Sequence, residues 1–220
     1  MTEYDIFLTY ETCSSLISYE DEERYLVNVR IKIIGCPENS KLPDITLGEA
    51  QATQIRVSQA LDNGECLFHI FDVDQGLMNA GTAVYNAAFT NFKPTVRRDF
   101  PYCQPDGDVL LVRQLVLQPQ FRGKKLGLAV LRQIIGNLGY GCTLALIRPF
   151  PIDMERSEEI EGRGKLRAYW ERLLFRRIGH TAYWGLCTHG TLPSAEELEL
   201  PSSLFLDERP QCSGLTLAAH

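Results

Sequence analysis

The stretch VLLVRQLVLQPQFRGKKLGLAVLRQIIGNLGYGCTLALI, residues 109–147, decides the fold that this chain is expected to adopt. Residues 109–120 are apolar on both faces, which is typical of a strand in a central position of a sheet. A helix is expected from about residue 123 to residue 138, and Gly139 fits its C-terminal stop. A second strand follows at 142–149. Because short connections join these three elements, they predict a βαβ unit with parallel strands.

A basic turn, Arg122-Gly123-Lys124-Lys125, separates the first of these strands from the helix. The first turn of a helix leaves backbone N–H groups unpaired, and the helix dipole makes that end positive, so several donors can hold an anion there. Gly123 lets a ligand approach the backbone, the two lysines add positive charge, and Arg122 can form a bidentate contact with a phosphate. The turn therefore predicts a phosphate site. The alternative is the solvated, basic start of a surface helix.

The remaining segments predict a mixture of strands and helices. Strands are expected at 4–10, 24–35, 66–74 and 175–187, and helices at 46–64, 75–89 and 162–174. The segment 4–10 would pair with 24–35 at an edge of the sheet. Three prolines in 90–108 indicate a loop with a short strand at most. The polar C-terminal residues leave room for a short helix at 194–199.

The composition is that of a globular protein, with 220 residues, 45% hydrophobic and 23% charged. A net charge of −6 argues against duplex nucleic acid and anionic membranes as partners and is compatible with a cationic amine. Asp153 and Glu155, in the loop after the second strand, could meet such an amine, or they belong to a plain loop. No apolar run approaches a membrane span and the N-terminus does not resemble a signal peptide, so a cytoplasmic location is predicted.

The seven cysteines are widely spaced, and no C-x-x-C sequence occurs among them. This spacing gives no support for a zinc site or a redox pair, so no metal is predicted. Reduced thiols in a reducing compartment are the expectation. Neither a P-loop sequence nor the dinucleotide-binding G-x-G-x-x-G is present. The basic turn therefore needs a different interpretation.

The sequence LVLQPQFRGKKLGLAVL, residues 115–131, resembles the acyl-CoA-binding motif of the GNAT superfamily of N-acetyltransferases. That motif is a strand ending in Val-x-Pro, then an aromatic residue, then [Q/R]-x-x-G-x-[G/A] at the start of a helix. Leu117-Gln118-Pro119, Phe121 and the six residues from Arg122 to Gly127 occupy these places. The segment YWERLLFRRIG, residues 169–179, is similar to the later Phe-Tyr-x-x-x-Gly-Phe segment of the family. The resemblance is best over residues 109–186.

The resemblance implies an α/β fold with a mixed, largely antiparallel central sheet, a parallel βαβ unit at the acyl-CoA site and helices on both faces. It implies one GNAT-like domain over residues 1–187, followed by a C-terminal extension, 188–220. The implied activity is transfer of an acetyl group from acetyl-CoA to an amine of a small molecule or a protein by direct attack. A homodimer is compatible with this assignment, and neither nucleic acid nor a membrane is expected as a partner.

The same resemblance implies where coenzyme A binds. Its pyrophosphate would sit on the backbone amides of the basic turn, and N–H groups of the preceding strand would stabilise the oxyanion of the reacting thioester. The residues expected to bind the cofactor are Leu115, Val116, Leu117, Arg122, Gly123, Lys124, Lys125, Leu126 and Gly127.

Four residues depart from the family's pattern. Lys125 and Leu174 stand at two positions that are usually glycine; a negative φ at Lys125 would make its side chain harmless. Trp170 aligns with the tyrosine that protonates the leaving thiolate, and Gln114 with a glutamate that acts as the base. Tyr169, next to Trp170 but about 100° around the helix, is therefore the predicted catalytic acid, with water as the alternative. A non-catalytic domain that binds acyl-CoA or a protein partner is the second hypothesis.

Overall fold

The computed structural model describes residues 2–12, 22–38, 42–149, 159–201 and 203–206. Its strands are β1 (Thr2–Thr12), β2 (Leu26–Pro37), β3 (Ile45–Ile55), β4 (Asp108–Leu117), β5 (Cys142–Ile147), β6 (Arg176–Arg177), β7 (Trp184–Cys187) and β8 (Leu204–Leu206). Its helices are α1 (Val57–Asp62), α2 (Leu67–Phe71), α3 (Gln75–Val84), α4 (Pro94–Asp99), α5 (Leu126–Leu138) and α6 (Glu159–Glu171). Short 3₁₀ turns lie at Glu23–Tyr25 and Pro119–Phe121. Among these helices, none has the length and apolar character that crossing a membrane requires.

The strands of the described part form one sheet in the order β6-β7-β5-β4-β3-β2-β1-β8. Only β4 and β5 run parallel, and each of the other neighbouring pairs is antiparallel. The expected mixed, largely antiparallel sheet is thus confirmed. The parallel pair flanks α5 in sequence, which confirms the predicted strand–helix–strand unit, although α5 begins at Leu126 and not at residue 123.

Strand β4 owes its central place to apolar side chains on both faces. Leu110 and Val112 belong to the apolar cluster that includes α5 and Trp170 of α6, while Val109 and Leu111 belong to the cluster formed with α1 to α4. The alternation of side chains along a strand sends neighbouring residues into opposite clusters. Helices therefore pack on both faces of the sheet, and β4 carries the contacts to each.

The predicted helix over residues 46–64 is wrong, because β3 occupies Ile45–Ile55 and only Val57–Asp62 is helical. Ala50, Ala52 and Ile55 are buried, and β3 pairs with β2 on one side and with β4 on the other. Two rows of inter-strand hydrogen bonds outweigh the modest helix preference of alanine and glutamine in this segment.

The predicted strand over residues 66–74 is also wrong, since Leu67–Phe71 form α2. Leu67, Ile70 and Phe71 are buried at helical spacing, so the short apolar run packs as a helix. The loop expected at 90–108 contains α4, which begins with Pro94 at its first position. The predicted helix at 75–89 is confirmed as α3, which ends at Val84.

Three further predictions need correction, two in the second half of the chain and one at strand β1. Residues 175–187 form two short strands, β6 and β7, and not one strand. The segment 194–199 is a hydrogen-bonded turn and not a helix. Strand β1 pairs with β2 as predicted, but it is not the edge of the sheet, because β8 pairs with Thr2–Tyr4 on its outer side.

The described residues after 187 pack closely on the rest of the fold. Arg132 Nε of α5 donates a hydrogen bond to the carbonyl of Pro193 at 2.8 Å. Arg172 Nη2 donates to the carbonyl of Leu198 at 2.6 Å, and the Leu198 side chain is 3% exposed. The segment expected as a C-terminal extension thus contacts α5 and the residue after α6, and its strand β8 pairs with β1. Residues 207–220 lie outside the described ranges.

Two helical glycines are expected to respond oppositely to alanine. At Gly81 of α3, a Cβ would lie 2.7 Å from ring atoms of Phe71 and Phe89, whereas at Gly136 of α5 it would meet no atom within 4 Å. Gly81→Ala should therefore cost about 1–3 kcal/mol through overpacking, and Gly136→Ala should stabilise by roughly 0.5–1 kcal/mol through helix propensity. Thermal unfolding followed by circular dichroism measures both. A similar change in Tm for the two variants would contradict the close packing of α3 on Phe71.

Candidate functional site

The candidate site begins where β4 leaves β5. The two strands pair only from Asp108 to Val112 of β4, and β4 then continues to Leu117 with β3 as its neighbour. The register of β4 against β3 shifts between Gln114 and Val112, so Arg113 is an extra residue of the bulge type. This irregularity re-aims the strand, and a cleft opens between the ends of β4 and β5.

A cavity of about 270 Å³ fills this cleft. Its walls come from residues 112–115 of β4, residues 147–149 at the end of β5, and Leu166 and Trp170 of α6. Trp170 is 5% exposed and belongs to the core as well. The volume is small beside the ~300–1,000 Å³ of pockets that enclose a drug-sized ligand. The cavity therefore suits one reacting group and not a whole nucleotide.

The basic turn lies at the end of β4 and is tied to it. Arg122 Nε donates a hydrogen bond to the carbonyl of Leu117 at 2.9 Å. Gly123 has a φ of 78° and Lys125 a φ of 58°, so the chain passes through the left-handed region twice before α5 begins. The negative φ that would make lysine harmless at position 125 is thus absent. A non-glycine residue in this region is uncommon, and it marks a backbone shape that the surrounding fold imposes.

The first turn of α5 keeps hydrogen-bond donors available. Lys125 is the N-cap residue and its side chain makes no capping bond to the helix. Within the described ranges, the backbone N–H groups of Leu126 and Gly127 make no hydrogen bond. Because Gly123 and Lys124 are exposed beside them, the turn combines free donors, the positive end of a helix and basic side chains, which is the combination that holds a phosphate.

Tyr169 packs against this same turn of α5. Its Oη accepts a hydrogen bond from Leu128 N at 2.9 Å, and a Cβ at Gly127 would lie 3.3 Å from Oη. Burial raises the pKa of Tyr169, against the lowering effects of the Leu128 N–H and of Arg172. The phenol is therefore neutral at physiological pH. Its ring packs edge-on against that of Trp170, with ring centres 4.8 Å apart. Trp170 lines the cavity, whereas Tyr169 is not among the described residues that do.

The residues expected to bind the cofactor lie together. Leu115 and Leu117 stand on the part of β4 that has left β5, and the Cδ2 atom of Leu115 comes within 3.5 Å of the position of a Cβ on Gly127. The turn residues follow directly. Gln114 lies on the cavity wall and is exposed. Asp153 and Glu155, expected beside a cationic substrate, lie outside the described ranges.

Three charged residues of this region escape prediction from the sequence. Glu199 forms an ion pair with Lys125 of the turn, and its Oε2 lies 3.9 Å from Arg172 Nη2. The hydrogen bond from Lys125 lowers the pKa of Glu199, so the carboxylate stays ionised at neutral pH. Arg113 and Arg148 line the cavity. Arg113 could have been singled out from the sequence, because it is a charged residue inside an otherwise apolar strand. No local pattern connects Glu199 with Lys125, which lies 74 positions away.

Comparisons of the chain with family models, with curated proteins and with solved structures find no match. No relative therefore assigns a role to the turn, to Tyr169 or to the arginines of the cavity. Their chemistry follows from their own distances, burial and charge.

The carboxylate of Glu199 should compete with other anions for the turn. Glu199→Gln removes that charge from Lys125, so the affinity for inorganic pyrophosphate should rise a few-fold at low ionic strength and the gain should fade above ~0.1 M salt. Isothermal titration calorimetry measures this. Glu196→Gln is the matched control, since Glu196 is exposed on the same hydrogen-bonded turn. An equal response of the two variants would show that Glu199 does not compete at Lys125.

Proposed function

We propose that this chain is an acetyl-CoA-dependent N-acetyltransferase of the GNAT type, which transfers an acetyl group to an amine by direct attack. One observation carries the proposal: β4 leaves β5 beside the basic turn that begins α5, so the basic turn and a cavity lie along one strand. That arrangement suits a ligand with a pyrophosphate at one end and a small reactive group at the other.

Each part of the donor has a place in this arrangement. The pyrophosphate of coenzyme A would bind the free N–H groups of Leu126 and Gly127 and the charge of Lys124. The pantetheine arm would follow the edge of β4 that β5 has left. The thioester would then reach the cavity, where N–H groups from Leu115 to Leu117 would face the developing oxyanion. Positioning of this kind supplies on the order of 7–11 kcal/mol of a reaction barrier in favourable cases.

The backbone conformation at the two positions where the family usually has glycine supports the proposal. Lys125 and Leu174 stand where the motifs usually have glycine, and both have a positive φ, 58° and 67°. Glycine is the residue that adopts this conformation without steric cost. The chain therefore keeps the backbone shape that glycine would allow, although the side chains differ. Leu174 follows the end of α6 and is 52% exposed.

Tyr169 has the chemistry for the last proton transfer. Its Oη accepts the hydrogen bond from Leu128, and within the described residues no acceptor takes its O–H. The hydroxyl proton is therefore available to a leaving thiolate. Trp170 cannot act in this way, because an indole N–H donates a hydrogen bond but does not ionise as an acid near neutral pH. The Tyr169 hydroxyl is the candidate acid, and water is its competitor.

A second function, acyl-CoA binding without catalysis, has its own support. Trp170 and Gln114 occupy the places of the family's acid and base, and neither side chain titrates. The described residues that line the cavity include no carboxylate and no histidine. Acetyl-CoA consumption in the presence of an amine panel separates the two functions. Binding of acetyl-CoA with no turnover on any amine would favour the non-catalytic function.

Gly123→Asp should abolish the stabilisation of the protein by acetyl-CoA. Acetyl-CoA bound to the folded state should raise Tm, and an aspartate would place a negative charge where the pyrophosphate meets the backbone. Gly64→Asp is the matched control, because Gly64 has a φ of 76° against 78° at Gly123 and neither site has an atom within 4 Å of a Cβ. Both variants bear the same backbone strain, so differential scanning fluorimetry with millimolar acetyl-CoA isolates the charge. Lys124→Ala should have a smaller effect than Gly123→Asp, since its charge is exposed and screened.

Tyr169→Phe should lower the turnover number by roughly 10²-fold while the affinity for acetyl-CoA changes little. The fold should survive, because Leu128 N also donates to the Lys125 carbonyl at 3.0 Å. Steady-state kinetics gives the turnover number, and the acetyl-CoA-induced change in Tm gives the affinity comparison. An unchanged turnover number would assign the proton to water and leave Tyr169 a packing role.

A further inference from the structure

The charged residues that line the cavity within the described part of the chain are two arginines, Arg113 and Arg148. Arg113 is the bulged residue of β4, and Arg148 directly follows β5. Both guanidinium groups also act on Tyr183: burial raises the pKa of Tyr183, and the positive charges of Arg148 and Arg113 oppose that rise. The two arginines therefore come from the two strands that flank the cleft, and both line the same cavity.

The fold holds Arg113 in a fixed position. Its Nε donates to Thr53 Oγ1 at 2.7 Å, and Thr53 is 0% exposed. Its Nη2 lies 2.8 Å from Asp74 Oδ2, and Asp74 in turn caps α3 by accepting from Leu77 N at 2.8 Å. Within the described residues, its remaining nitrogen, Nη1, makes no hydrogen bond. A guanidinium held in this way loses little further freedom when it binds an anion.

This anion site is separate from the basic turn. Arg113 stands four residues before Leu117, to which the turn is tied, and four residues of a strand span about 13 Å. A ligand with its pyrophosphate on the turn therefore leaves the arginines to a second ligand. Asp74 already compensates the charge of Arg113 through Nη2. A carboxylate would still gain charge-assisted hydrogen bonds from Arg113 Nη1 and from Arg148, whereas a guanidinium group offers a cationic amine no hydrogen-bond acceptor.

We propose that the acceptor is an amine that also carries a carboxylate, and that Arg113 and Arg148 bind this carboxylate while the amino group points at the thioester. This inference rests on the proposed acetyl transfer and adds its acceptor class. It differs from the cationic amine that the acidic net charge alone suggests, because the hydrogen-bond donors that line the cavity suit an anionic group.

Binding of the acceptor is tested without catalysis. Glycine, β-alanine and γ-aminobutyrate are titrated into ¹⁵N-labelled protein saturated with coenzyme A, and binding is followed by NMR. The amide of each amino acid, which lacks the carboxylate charge, is titrated as its control. The chain has two tryptophans, and only Trp170 is among the described lining residues. At least one amino acid should shift the Trp170 indole resonance saturably, and its amide should not. Equal shifts with an acid and its amide across the series would overturn the inference.

Arginine variants then test whether Arg113 and Arg148 bind the carboxylate. Arg148→Gln should weaken binding of the preferred amino acid about tenfold or more, the size expected for loss of a charged hydrogen-bond partner. Arg97→Gln, an exposed arginine on α4, is the matched control and should bind as the wild type does. Arg113→Gln should weaken binding as Arg148→Gln does. Because Arg113 also binds Thr53 and Asp74, its replacement could disturb the fold, so the exposed Arg148 is the primary position for substitution. Undiminished binding in Arg148→Gln would refute the assignment.

Steady-state kinetics with an amino acid and its amide tests the acceptor class separately from the proposed acetyl transfer. With acetyl-CoA as donor, kcat/KM should be at least about tenfold higher for the preferred amino acid than for its amide, and Arg148→Glu should abolish this preference. Acetylation of amines without regard to a carboxylate would overturn the inference and leave the acetyltransferase standing. Absence of any acetyl-CoA-induced rise in Tm would refute both. In a protein that binds acetyl-CoA without turnover, the Trp170 titration decides the acceptor class.

Discussion

The divergence of β4 from β5 is the constraint on which the rest of this structure depends. Up to Val112 the two strands share a parallel ladder, and beyond the bulge at Arg113 only β3 accompanies β4. The edge of β4 that results lies in the middle of the sheet, beside β5, and not at the rim of the sheet. It brings the cavity and the backbone of β4 together, as the proposed acetyl transfer requires.

Two concentrations of positive charge lie along this strand in a protein whose net charge is −6. One is the basic turn, where helix dipole, free N–H groups and lysines act together. The other is the pair of arginines on the cavity wall. Acidic residues accompany each of them: Glu199 pairs with Lys125, and Asp74 with Arg113. The overall charge therefore says little about the ligands, because the basic groups near the cleft are placed individually, each with its own acidic partner or helix terminus.

The neighbouring aromatic residues Tyr169 and Trp170 of α6 make different contacts. Trp170 closes the cavity and belongs to the core, while Tyr169 ties α6 to the first turn of α5 through Leu128 N. The hydrogen bond uses the oxygen of the phenol and leaves its proton available. A residue that positions the turn could thus also serve the proposed acetyl transfer.

The sequence by itself determined the unit from β4 to β5, because long apolar runs, a basic turn and a glycine stop lie close together in the chain and need no distant partner to be understood. The cofactor-binding residues predicted from it lie together in the structure for the same reason. Only the tertiary structure decided that 45–55 is a strand and 67–71 a helix, since pairing with β2 and β4 and burial at helical spacing outweigh local preference. It also decided which charged residues lie at the site. Glu199 forms a hydrogen bond with Lys125 across 74 positions, and Arg113 and Arg148 line the same cavity because two strands diverge. Contacts between distant residues depend on how the chain folds back on itself, and no local pattern encodes them.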